Sequence, residues 1–314
     1  MDRRKNSFRF DLIQEVIKVD EKTRIVTFSL KPDPKRYEWI TKDGEEYIFD
    51  KYDNTLMPKH VYFDSMKQLK NQPLYYQPPK IRNSFEYYRE RKPLIEEIMK
   101  SRIIEFTPED KSEDFLESLS TNRLNFVILS LDTVGSTKLS NTMDPEEYAF
   151  MTSLISYELS NIVPLFNGFI LKYTGDGIIA YFPEPSFITK NDLAIDCALT
   201  LRGLIYHLLN PIFESNNLPS IDIRIGLDAG EAFVQTIGNP SAKQHKDIIG
   251  AVISIAAKIQ SKAEPKGIYM GETVERNLHV NWRENCIEIA DIENWPYKNI
   301  DGNLYRIFKY NRDV

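Results

Sequence analysis

The run LNFVILSL at 124–131 is almost unbroken in its apolar character, and it stops at Asp132. A stretch of that length and composition predicts a central strand buried on both faces. Its last act is to deliver a carboxylate to the edge of a sheet. A loop of small residues, TVGSTKLS, follows, and then Asp144 caps a helix with Pro145 at its first position and Glu147 placed for reciprocal capping. Tyr148, Met151, Leu154, Ile155, Leu159, Ile162 and Val163 recur at helical spacing, one stripe to bury against the sheet.

The same punctuation continues downstream. FILKY, the corner TGDG and IIAYF predict a hairpin, because glycine readily supplies the positive φ of a tight turn. A second helix follows Thr189, with Ala194, Cys197, Ala198, Leu201, Leu204, Ile205 and Leu208 on its apolar side and Pro211 marking its breakdown. IDIRIGL and EAFVQTI predict another hairpin around DAG. A helix over 250–262, a strand at GIYM, a short helix after Gly271 and strands near 286–290 and 304–308 complete the pattern. The order βαββαβ is that of a ferredoxin-like α+β domain, extended by later elements.

Upstream, LIQEVIKV and RIVTFSL predict a hairpin around DEKT, and EEYIFDKY a third strand. The proline-bearing stretch 71–85 reads as an extended connection. A short helix is expected over 92–103, and another from Thr107 with Pro108 first and Asp110 in a capping arrangement. These signals divide the chain into an N-terminal β-rich region with its linker at 1–85, a helical connector at 86–120 and a domain at 121–314. Eight tyrosines fall in the first 100 residues, among them Tyr75, Tyr76, Tyr87 and Tyr88; they are expected to pack a small core, with dimer support as the alternative.

Composition removes several function classes. The chain carries 46 acidic against 40 basic residues, an unsuitable balance for a general nucleic-acid binder. Its two cysteines, Cys197 and Cys286, lack metal-ligand spacing; with no signal peptide, this predicts a reducing, cytoplasmic setting, and Cys197 is expected to be a core residue. No apolar run approaches the roughly 18 residues that a membrane helix needs. The basic MDRRK terminus reads as a solvated tail, and His245, with no second histidine nearby, as a surface or locally hydrogen-bonded residue.

Asp132 at a strand end and Asp176 in the corner of a neighbouring hairpin would share one edge. Two such carboxylates suit Mg²⁺ or Mn²⁺, hard ions that complete their shells with phosphate oxygens and water. The low-bulk loop 133–137 offers amides for a phosphate-binding nest. The plainer reading makes both acids turn formers, since aspartate is common before glycine. A pair of carboxylates also fits glycoside hydrolysis, which leaves the phosphate-like loop without a purpose.

LSLDTVGSTKLS, FILKYTGDGIIAYF, IRIGLDAGEAF, KDIIGAVISIAAKIQS and PKGIYM together resemble the class III nucleotidyl cyclases, which include adenylate and guanylate cyclases; the likeness covers about 121–310. The resemblance implies two divalent ions per site, Mg²⁺ or Mn²⁺, held by Asp132, Asp176 and the carbonyl of Thr133; Gly135, Ser136 and Thr137 of the small-residue loop are the candidate phosphate contacts. It implies that Lys172 and Asp247 read the base, Lys172 matching the adenine-selecting lysine. Lys298 falls where the family grips the triphosphate. Family members pair head to tail and build composite sites, so Lys172 and Asp176, on opposite arms of one hairpin, would serve different sites of a homodimer. Where the family has asparagine and arginine on the helix after Asp247, this chain has Ser254 and Lys258, one turn apart on one face. Serine lacks the paired polar groups of asparagine, and lysine is a point charge in place of a rigid fork; Lys258 is kept as a catalytic candidate and Ser254 as a substrate contact.

The activity implied is metal-dependent cyclisation of a nucleoside triphosphate to a 3′,5′-cyclic nucleotide and pyrophosphate, with ATP or a pyrimidine triphosphate as substrate. The altered helix keeps open the bacterial antiphage branch that makes cyclic UMP or cyclic CMP for a separate effector responsive to the cyclic nucleotide. It also keeps open a catalytically silent nucleotide-binding domain.

Overall fold

In the computed structural model, residues 9–20, 25–69, 78–81, 83–105, 111–119, 123–183, 189–290 and 292–312 are described, and they fall into two compact units. The expected turn at 21–24, the helix start at 107–110, most of the extended connection at 71–77, and Tyr75 and Tyr76 lie outside the described residues.

The N-terminal unit comprises the chain up to residue 75 together with 279–284. Leu12–Asp20 (β1) and Ile25–Pro32 (β2) form the expected antiparallel hairpin. Tyr37–Lys42 (β3), Glu45–Asp50 (β4) and Thr55–Pro58 (β5) form a separate three-stranded sheet, followed by Lys59–Leu69 (α1). Asp43 and Gly44 both take positive φ at the β3–β4 corner. Tyr37, Ile48 and Tyr62 make a small core with Phe10, Leu12, Met57 and Met66. Around Arg36, whose side chain is 2% exposed, gather Asp11, Asp50 and Asp53 at 3.0, 2.8 and 3.0 Å. The short helix Val280–Arg283 joins this cluster late in the chain, as Arg283 reaches Asp53 at 3.1 Å.

The second unit holds the rest. Ser84–Ser101 (α2) starts eight residues before the expected 92, because the Asn83 side chain accepts from the amides of Phe85 and Glu86. Tyr88, buried on this helix, donates to the Thr200 carbonyl at 2.7 Å, and Arg91 forks onto the buried Glu158. Lys111–Ser118 (α3) comes next, then the central strand Arg123–Val134 (β6). Ser136–Thr142 (α4) is a single short helix before Pro145–Ile162 (α5). Asp144 caps α5 as expected, but the Glu147 carboxylate pairs with Arg102 at 2.8 Å in place of the reciprocal cap.

Phe169–Tyr173 (β7) and Gly177–Phe182 (β8) are the arms of the TGDG hairpin. Lys190–Leu204 (α6) buries Cys197 completely, as its apolar stripe implied. The helix does not break at Pro211. Residues Ile205–Leu209 form a π-helical turn and Asn210–Ser215 (α7) continues from it with Pro211 in its first turn, where the missing amide is tolerated.

The expected hairpin around DAG is also corrected. Asp222–Asn239 (β9) is one strand of 18 residues, and Asp228, Ala229 and Gly230 pair with Ile128, Val127 and Phe126 of β6. A long partner holds the backbone extended through DAG, so the reversal waits until 240–242, after which Lys243–Ile249 (β10) returns along β9. Ala251–Lys262 (α8), Ile268–Gly271 (β11), Glu272–Asn277 (α9), Cys286–Glu288 (β12) and Ile307–Tyr310 (β13) follow near their expected positions.

The sheet order is β12-β13-β11-β9-β6-β8-β7, with β10 paired to β9. Its β9-β6-β8-β7 portion is the ferredoxin-like arrangement that the order βαββαβ implied. One face is packed by α8 and α3: Phe126, Ile128, Ile179 and Tyr181 meet Val252, Ala256 and Leu116 there. β9 and α8 approach closely, since a Cβ on Gly226 would lie 2.3 Å from the Gln260 amide nitrogen.

Candidate active site

Strand register brings the two acids together. Asp132 lies opposite Gly177 in the β6–β8 ladder, so Asp176 is the next residue along, and the Thr133 hydroxyl ties the two segments by donating to the Asp176 carbonyl at 2.7 Å. A side chain at Gly177 would collide with the Leu131 carbonyl at 2.1 Å, which keeps β6 and β8 in close approach at this row. Gly175, at φ +93°, makes the corner possible.

Asp132 is half-buried and already has partners. Arg224, directly across on β9, donates to Oδ2 at 3.1 Å, and Gln260 of α8 reaches the same oxygen at 3.4 Å. Burial pushes the Asp132 carboxyl above its ordinary value, the charge of Asp176 adds to the push, and Arg224 opposes it. Asp176 has no ion-pair partner among the described residues. Two neighbouring carboxylates, of which only Asp132 is paired to a cation among the described residues, form an all-oxygen donor set with charge to spare, and this fits a hard divalent ion. Among the described residues, no group of three or more His, Cys, Asp or Glu side chains gathers around a common point, so a metal here would draw on these two acids and backbone oxygen such as that of Thr133. Arg224 was missed in the sequence; its signal was the register opposite Asp132, invisible until the strands were paired. Its Nε is buried without a partner, so the guanidinium is only partly spent on Asp132.

A second cluster lies on the same sheet face. Lys172 donates to Asp247 Oδ2 at 2.7 Å, and His245 stands 4.0 Å from that oxygen. Lys172 registers against Ile179, which packs toward α8, the side from which Gln260 reaches Asp132. Two strand spacings, roughly 10 Å of sheet, separate the β6 and β7 carriers of these groups.

The other candidates stand apart. Gly135, at φ +72°, turns the chain into α4, whose first turn contains Ser136 and Thr137 and has no side-chain cap. Ser254 and Lys258 are both exposed on α8, one turn apart, and neither side chain touches Asp132 among the described residues. Lys298 is exposed on a small hairpin where its backbone bridges Leu304, anchored through Asn299 to Glu272 at 3.0 Å. One chain thus joins Asp132 with Asp176 and Lys172 with Asp247. It leaves Ser254, Lys258 and Lys298 facing outward.

Comparison with known proteins bears on this arrangement. The family model described as "Adenylate and Guanylate cyclase catalytic domain" matches residues 121–299. A cytidylate cyclase of Staphylococcus aureus is 28% identical over 56% of this chain and 43% of its own length. A cytidylate cyclase of Escherichia coli is 27% identical over 48% of the chain and 35% of its own length, and an adenylate cyclase of Anabaena cylindrica is 29% identical over 51% and 31%. The chain therefore spans less than half the length of each of these relatives. In fold it is similar to the adenylyl cyclase CyaB from P. aeruginosa, with a TM-score of 0.55 at 19% identity over 62% of this chain and 98% of that one. The guanylyl cyclase Cya2 gives 0.52 at 20% identity over 60% and 93%. No helix among the described residues is long and apolar enough to cross a membrane.

Proposed function

The chain belongs to the adenylate and guanylate cyclase catalytic-domain family, and on that premise we propose that it cyclises a nucleoside triphosphate to a 3′,5′-cyclic nucleotide, with a pyrimidine triphosphate as the preferred substrate. The observation that carries the reading is the adjacency of Asp132 and Asp176 at one sheet edge, with a Lys172–Asp247 pair on the same face. Cytidylate cyclases among the relatives favour the pyrimidine. ATP is the second reading, supported by Lys172 beside Asp247 and by the adenylate cyclase relative.

In the reaction the ribose 3′ oxygen bonds to the α phosphorus, the bond from that phosphorus to the bridging β oxygen breaks, pyrophosphate leaves and the hydroxyl proton passes to solvent. Two Mg²⁺ or Mn²⁺ ions at Asp132, Asp176 and the Thr133 carbonyl would supply charge to acidify the hydroxyl and offset the growing negative charge on pyrophosphate. The residues of the chain orient the substrate around that charge. Lys172 donates to the base and Asp247 accepts from it, each released from the other when a nucleotide enters. Amides at Gly135, Ser136 and Thr137 take phosphate oxygens. With Asp132 engaged by a metal, the Arg224 guanidinium that now donates to it would be free to donate to the triphosphate.

Ser254, Lys258 and Lys298 point outward in a single chain, which supports a homodimer with composite sites in which one copy's outward residues complete the other's edge. Residues 121–314 form the catalytic domain in this reading, 86–120 a connector and 1–85 an accessory region. The setting is cytoplasmic, and the product signals to a separate effector responsive to the cyclic nucleotide in antiphage defence. Incubation with CTP, UTP, ATP and GTP separately under Mg²⁺ or Mn²⁺, followed by mass spectrometry, tests this. A cyclic pyrimidine product that disappears in Asp132→Asn is expected. Saturable binding without turnover of any of the four would sink the catalytic reading and leave a silent nucleotide-binding domain, as the exposed Ser254 and Lys258 allow.

A further inference from the structure

The face on which Lys172 appears is decided by one extra residue. Phe169 pairs with Tyr181 and Ile170 with Ala180, but Lys172, not Leu171, pairs with Ile179. Phe169 and Lys172 are three residues apart, so strict alternation would put them on opposite faces. The bulge between Ile170 and Lys172 puts both on the α8 face, where Lys172 meets Asp247. Without the bulge, Lys172 would point to the other side of the sheet.

Helix α3 holds that bulge. The Ser112 hydroxyl donates to the Ile170 carbonyl, at the bulge itself. Phe115 stacks on Phe169 at 4.3 Å and 9°, one residue before the irregularity, and the Tyr181 hydroxyl donates to the Ser112 carbonyl at 3.3 Å. The same helix sets Leu116 into the cluster that includes Ile248, the neighbour of Asp247. Strands β7 and β10 are not paired with each other, and α3 contributes Phe115 and Leu116 to a cluster that also holds Phe169 of β7 and Ile248 of β10. Residues 112–116 also precede the stretch matched by the family model, which starts at 121.

We propose that α3 is a positioning element for base recognition, in which Ser112 pins the β7 bulge and so fixes the face and reach of Lys172. The inference rests on the nucleotide-cyclising reading above and adds a residue outside the matched domain. Ser112 touches no substrate; it acts through the Ile170 carbonyl.

The test uses the full chain with Ser112→Ala, Ser112→Thr, Lys172→Ala and the double variant Ser112→Ala/Lys172→Ala, assayed with each of the four nucleotides. Ser112→Ala is expected to raise KM for the preferred nucleotide by about three- to tenfold, the worth of one hydrogen bond, with kcat within about twofold. The preference over the next nucleotide narrows by the same factor. Ser112→Thr restores both, and in the Lys172→Ala background the serine change adds less than about twofold. An equal fall in kcat for all four nucleotides, unchanged KM and preference, or full additivity with Lys172→Ala overturns the proposal. If the wild-type chain forms no cyclic product, the catalytic reading fails separately, and dissociation constants for the four nucleotides decide the positioning role. Selective weakening of one base in Ser112→Ala supports it; uniform affinities, or no binding at all, overturn it.

Discussion

Arg36 in the N-terminal unit and Arg224 in the second unit both reach aspartates near 3 Å, but they sit in opposite surroundings. Arg36 is 2% exposed and shared among Asp11, Asp50 and Asp53, the first two themselves buried. Arg224 and Asp132 are 31% and 27% exposed, and Asp176 beside them has no ion-pair partner among the described residues. In the first cluster each guanidinium nitrogen is used by the protein, so nothing is left for a ligand. In the second, Arg224 gives one nitrogen to Asp132 and another to the Ser261 carbonyl at 3.5 Å, and the carboxylate of Asp176 is left over at a more open edge. A closed network holds a small unit together, whereas an open one leaves charged groups available to a ligand.

The largest expected effect breaks the closed cluster. Arg36→Leu strands buried carboxylates and should cost about 3 to 5 kcal/mol, read as a lowered urea midpoint for the N-terminal unit by a probe local to that unit. Next comes the open edge. Asp132→Asn or Asp176→Asn should lower cyclic-nucleotide formation by about 100-fold or more with thermal stability unchanged or raised, because either change relieves like-charge repulsion. A thermal loss matching that of Arg36→Leu would show that the two clusters do the same job.

Asp228 sharpens the contrast as a buried acid with no ion-pair partner among the described residues. Burial pushes its carboxyl up to about 7, against hydrogen bonds from the Tyr305 hydroxyl at 2.6 Å and the Ala229 amide. A raised acid is protonated more readily in the folded chain than in the unfolded one. Its drag on stability is therefore absent below the unfolded value near ~4, grows as pH rises, and is complete above about 7. Wild-type protein should lose on the order of 2 kcal/mol between pH 5 and 8 relative to Asp228→Asn, measured by denaturant titration at each pH. The smallest effect belongs to Arg224→Met, which should change stability by less than about 1 kcal/mol because the pair is a third exposed. The same variant should raise KM for the nucleotide in steady-state kinetics.

Much of the second unit is legible in its sequence. The apolar run ending at Asp132, the Asp144 cap and the TGDG corner are local signals, and each element formed where its own residues required. Errors came where a partner overruled local chemistry. DAG reads as a turn by itself, but β6 supplies a continuous ladder that keeps it extended. Pro211 reads as a stop, yet a π-helical turn absorbs it. Glu147 had the right spacing to close a capping box, and Arg102 from α2 claimed it.

Within the second unit, the order of strands and helices and the placing of two acids beside glycine corners were determined by sequence alone, because periodicity and turn chemistry act over a few residues. Which charge answers Asp132 was decided only in three dimensions, where strand register brings Arg224 across 92 residues of chain. The facing of Lys172 was settled the same way, since a single unpaired residue in β7 inverts a side chain and no local pattern announces it.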